Sequence, residues 1–68
     1  MNGAEFIRRA KRYARESGLG FRFEAREGKG SHGQLYVGTK RTVVKRTEIG
    51  EGLLRSMLKD LGIRKGEF

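Results

Sequence analysis

The chain opens with a helical repeat. Phe6, Ile7, Ala10, Tyr13 and Ala14 recur at three- and four-residue spacing, so they fall on one arc of a helix, with Arg8, Lys11, Arg12 and Arg15 on the opposite arc and Arg9 at its edge. Asn2 followed by Glu5 three positions on reads as a capping box, and Gly18 supplies the stop, which predicts a helix over about residues 3–17. From Gly20 the period changes to two. Phe21, Phe23 and Ala25 alternate with Arg22, Glu24 and Arg26, then Leu35 and Val37 alternate with Gln34 and Tyr36, and Gly38-Thr39-Lys40 turns the chain into Thr42-Val43-Val44. These are three consecutive antiparallel strands. Leu53, Leu54, Met57, Leu58 and Leu61 restore the helical period over about 51–61, with Gly62 at the left-handed stop and Ile63 placed to fold back on Leu58.

The order α-β-β-β-α makes an α+β fold, with a three-stranded antiparallel sheet and two helices on one face. Two helices cover only one face of such a sheet, so the other is expected to stay open to solvent or to a partner. The length of 68 residues fits a single small domain spanning 1–68, which buries only about 60% of its unfolded surface. With no cysteine, the core or a partner must supply what disulfides and thiolate-bound metals supply elsewhere.

Charge narrows the partner. Lys and Arg number 16 against 8 Asp and Glu, a formal net charge of +8, and that excess favours a polyanion. Nucleic acid leads an anionic membrane surface as the expected partner. No apolar run reaches the roughly 18 residues of a membrane span and the N-terminal segment has no secretory character, so the expectation is a soluble cytoplasmic protein.

GKGSHG, residues 28–33, fits the glycine pattern of a dinucleotide-binding loop, but such a loop lies between a strand and a helix and this one feeds a strand. The kinase version of a glycine loop needs several hundred further residues. What remains is a hairpin loop in which Gly28, Gly30 and Gly33 supply positive φ, and which ends at His32, the one histidine of the chain. If strand geometry begins at His32, then His32, Gln34 and Tyr36 share the face opposite Leu35 and Val37, and the imidazole projects from the uncovered side. One imidazole without cysteine makes a poor zinc site, and no metal is expected. An imidazole with an unperturbed pKa of about 6.5 can instead both take and give a proton at neutral pH. A basic protein with one such group suits RNA cleavage, because RNA carries its own nucleophile in the 2′-hydroxyl. His32 would move protons, while Lys29, Arg26, Lys45 and the backbone N–H groups of the loop would steady the charge of the phosphorane. Ser31, Gln34 and Tyr36 join Lys29 as candidates for the second proton carrier.

The run GKGSHGQLYVGTKRTVV followed by LLRSMLKDLGI resembles the HicA family, the small mRNA-cleaving toxins of toxin and antitoxin pairs. Gly30-Ser31-His32 at the start of the second strand and the closing L-R-x-x-L-K-x-L-G-I are its most specific marks, and the likeness runs from about Glu5 to Ile63. The resemblance implies a fold similar to double-stranded-RNA-binding domains, metal-independent cleavage of mRNA through the histidine at position 32, and inhibition by a HicB-like antitoxin that covers the active surface. Many members carry a proline just after the third strand, where this chain continues Val44-Lys45-Arg46 and so offers added charge to an RNA path. The alternative is a non-catalytic RNA-binding module that grips RNA mainly through Arg8, Arg12 and Arg15 of the first helix.

Overall fold

A computed structural model describes residues 1–25 and 32–68 of the chain. Helix α1 covers Gly3–Glu16, strands β1, β2 and β3 cover Phe21–Glu24, His32–Val37 and Lys40–Lys45, helix α2 covers Glu51–Leu61, and a short 3-10 turn covers Lys65–Glu67. The strands form one antiparallel meander in the order β1-β2-β3. Both helices pack on the same side of it, α1 across all three strands and α2 against β3.

Local chemistry explains each boundary. The Asn2 side chain accepts the Glu5 backbone N–H at 2.9 Å, which satisfies one of the donors left over at a helix start. Glu5 turns its carboxylate outward to Arg9 at 2.9 Å instead of closing the capping box. Both helices end in the same device: Gly18 and Gly62 adopt φ near +70°, and the next residue, Leu19 or Ile63, donates its N–H to the carbonyl five positions back, Ala14 or Leu58. The turn between β2 and β3 is two residues long, with Gly38 at φ +61° and Thr39 at negative φ, the pattern of a type II′ hairpin.

The core lies between sheet and helices. Phe6, Ala10 and Ala14 of α1 meet Leu35 and Val37 of β2, Val44 of β3, and Leu54, Met57, Leu58 and Leu61 of α2, with Ile49 and Ile63 closing the ends. Thr42 is the one polar residue at a core position among the described residues, and its hydroxyl donates to Asp60 of α2 at 3.0 Å, so the burial leaves no unsatisfied oxygen. Three further expectations need correction. Gly33, expected at positive φ in the loop, lies inside β2 and outside the positive-φ region. Ala25 leaves the sheet and sits exposed in a turn, because pairing of β1 with β2 stops at Glu24. Leu53 is 41% exposed although it lies on the apolar arc, since α2 packs chiefly on β3, the edge strand, and the arc is wider than that contact.

The chain after β3 runs back past the start of α1. The Gly3 N–H donates to the Thr47 carbonyl, the Ile49 N–H donates to the Met1 carbonyl, and the Met1 amino group pairs with Glu48 at 2.6 Å. Gly3 permits this: a Cβ there would lie 1.9 Å from the Lys45 carbonyl oxygen, an overlap with backbone that no rotamer relieves. At the other end, the Phe68 ring packs on Phe6 at 4.8 Å between centroids. Lys65 donates to the Glu51 carboxylate, and that hydrogen bond, then the lysine's charge, holds the carboxyl below the usual range. A lowered carboxyl pKa favours the fold above the ordinary carboxylate range, and the contribution of this exposed clip is lost as the pH falls from that range through the lowered value.

Candidate active surface

Alternation along β2 sets the surface. Gly33, Leu35 and Val37 are buried under the helices, so His32, Gln34 and Tyr36 point to the uncovered face, as their spacing predicts. Register then supplies their neighbours. His32 stands opposite Lys45, Gln34 lies between Glu24 and Val43, and Tyr36 lies between Arg22 and Arg41. Directly opposed residues in an antiparallel pair have Cα atoms about 4.5–5.5 Å apart, which brings the Lys45 ammonium within side-chain reach of the imidazole. The row at Tyr36 is four residues from His32, about 13 Å along the strand.

The Arg22 guanidinium sits over the Tyr36 ring, 4.3 Å from its centroid, and its Nε lies 3.8 Å from Glu24. Among the described strand residues the face presents Arg22, Arg41 and Lys45 as cations against the carboxylate of Glu24, with Val43, 46% exposed, between them. Arg22 and Arg41 are absent from the sequence-based candidates. Each sits in a basic, alternating strand, but only the cross-strand register reveals that they flank the tyrosine.

Gly33 shapes the other side of this strand. The Phe23 ring lies across it, and a Cβ at 33 would come within 2.6 Å of the ring edge. Glycine next to His32 therefore allows an aromatic residue from β1 to seal the core beneath the histidine. Gly33→Ala should displace that ring and destabilise the chain by about 1–3 kcal/mol, the usual cost of overpacking, read as a lower midpoint in urea unfolding.

The remaining candidates are dispersed. Arg26, Gly28, Lys29, Gly30 and Ser31 lie outside the described residues. Arg46 lines a groove with Ala4, Ile7 and Phe23 on the helix side of the sheet, so it does not extend the basic surface that Lys45 joins. Arg8, Arg12 and Arg15 lie on the exposed arc of α1, across the helix layer from His32. The sheet face and the helix face are two separate basic surfaces. Among the described residues, no three His, Asp or Glu side chains gather into a group able to hold a metal ion. No helix is long and apolar enough to cross a membrane.

A family model described as the HicA toxin of bacterial toxin-antitoxin systems matches residues 14–63. That span contains all three strands and α2 and omits most of α1. No curated protein and no solved structure gives a significant match to the chain.

Proposed function

The chain belongs to the HicA toxin family of bacterial toxin-antitoxin systems, and from that premise we propose that it is an endoribonuclease that cleaves mRNA at the uncovered face of its sheet. The observation that supports this reading most is the placement of His32 opposite Lys45 on the face that neither helix covers. An imidazole and an ammonium side by side match what the reaction requires of a protein.

The RNA 2′-hydroxyl attacks the adjacent phosphorus, its oxygen forms the new bond, and the bond from phosphorus to the 5′-oxygen of the next nucleotide breaks. His32 in its neutral form takes the 2′-hydroxyl proton, or in its charged form donates a proton to the departing 5′-oxygen. One imidazole does one of these at a time, and a second group or water does the other. Lys45 offsets the negative charge that builds on the non-bridging oxygens, at an exposed site where each such contact is modest. Arg22 and Arg41 then hold the RNA about 13 Å away along the strand, a distance of a few nucleotides. Nothing in these steps calls for a metal.

As the toxin of a pair, the protein has an antitoxin partner. In the proposed reading that partner is HicB-like and covers the sheet face. Cations and an exposed Val43 on that face suit an acidic, partly apolar protein surface.

The test is cleavage of a defined single-stranded RNA by the purified chain in excess EDTA. The expected products carry 2′,3′-cyclic phosphate and 5′-hydroxyl ends. Activity that disappears with EDTA and returns with added magnesium would overturn the metal-independent reaction, and binding without any cleavage would leave an RNA-binding module.

A further inference from the structure

The outward face of α1 gathers Arg8, Arg9, Lys11, Arg12 and Arg15 along a shallow groove, and none of them belongs to the sheet face. Glu5 pairs with Arg9 at 2.9 Å and approaches Arg8 at 3.6 Å. Among the described residues, no carboxylate lies within ion-pair distance of Lys11, Arg12 or Arg15.

The spacing is costly for the helix. Positions 8 and 11, 8 and 12, 9 and 12, 11 and 15, and 12 and 15 are all three or four apart, and like charges at those spacings destabilise a helix by a few tenths of a kcal/mol per pair, about 0.2–0.5. A solvated surface needs charges but not charges of one sign in one row. At a rise of about 1.5 Å per residue, Arg8 to Arg15 spans roughly 10 Å, enough to face successive phosphates of one strand.

We infer that this row is a second RNA-binding surface, one that grips backbone phosphates on the side of the molecule opposite His32. It lies outside the reaction proposed for the sheet face and does not depend on it. RNA held there stays tethered while another segment of the same molecule reaches the sheet. A protein that covers the sheet leaves the row open, so the covered form still binds RNA.

Each phosphate contact to a single strand releases counterion, which lowers log K by about 0.7 per unit of log salt. The probe is a short fluorescent 2′-O-methyl RNA, which has no free 2′-hydroxyl and cannot be cut by the proposed reaction. Binding is measured across a salt series for the full chain, for the triple variant Lys11→Gln, Arg12→Gln, Arg15→Gln, and for a control triple Arg55→Gln, Lys59→Gln, Arg64→Gln. The control removes equal charge from α2 and the segment that follows it. The α1 triple should make the slope shallower by about 2, and the control should leave it nearly unchanged. Glutamine is a good helix former and removes repulsion, so α1 should keep its circular dichroism. Should the triple fail to fold, Arg12→Gln alone should still shift the slope by about 0.7. An unchanged slope, or equal changes in both triples, overturns the site. Cleavage of an ordinary RNA is scored separately: if it is absent while the α1 slope change is present, the sheet-face reaction fails and the α1 surface stands.

Discussion

His32→Ala should lower the rate of RNA cleavage by about a hundred- to ten-thousand-fold while the chain keeps its fold and its affinity for uncleavable RNA. The magnitude is that of removing one general acid or base. The fold should survive because His32 is only half-buried and points away from the core, with Gly33 and Phe23 forming the seal on the other side of the strand. Affinity should survive because Arg22, Arg41 and Lys45 remain on the face. The measurement is single-turnover cleavage of wild type and variant in parallel, with binding followed on 2′-O-methyl RNA. Equal rates would remove His32 from the chemistry. A drop in rate matched by a drop in affinity would make it a binding residue instead of a proton carrier.

Phe6→Ala should unfold the chain or bring it to the edge of unfolding at room temperature. Phe6 is fully buried, touches the Phe68 ring, and is among the largest side chains in the core. Truncating a buried Phe costs about 3–5 kcal/mol in lost transfer energy and cavity. A core this small supplies roughly 3–5 kcal/mol of net stability, so the loss is comparable to the whole. Urea or thermal unfolding followed by circular dichroism should show no cooperative transition, or one shifted far down. A variant that unfolds within about 1 kcal/mol of wild type would mean that the space under Phe68 collapses to fill the gap.

Much of this arrangement is legible in the sequence because its signals are local. Asn2, Gly18 and Gly62 mark helix ends through their own hydrogen bonds and φ angles, and the change from a period near four to a period of two separates helices from strands. The side of the sheet on which His32 stands follows from Leu35 and Val37 on the same strand. What escapes is set by partners distant along the chain. Arg22 and Arg41 flank Tyr36 only because of how three strands register, and nothing near either arginine announces it. Arg46 resembles Lys45 in sequence but takes the next position along the strand direction, which turns it to the helix side. The docking of Met1 to Gly3 against Thr47 to Ile49 depends on a gap of one missing Cβ, visible only once the two backbones are placed together.

The contact of Phe6 with Phe68 also bears on the order in which the core closes. The principal aromatic residue of the first helix is covered by one far along the sequence, and its first turn is pinned by residues just before the second helix. Closing so long a loop carries an entropic cost that local helix formation does not, so α1 forms before Phe6 is covered. Covering of Phe6 is then a late step of folding, after the neighbouring turns and hairpins have closed.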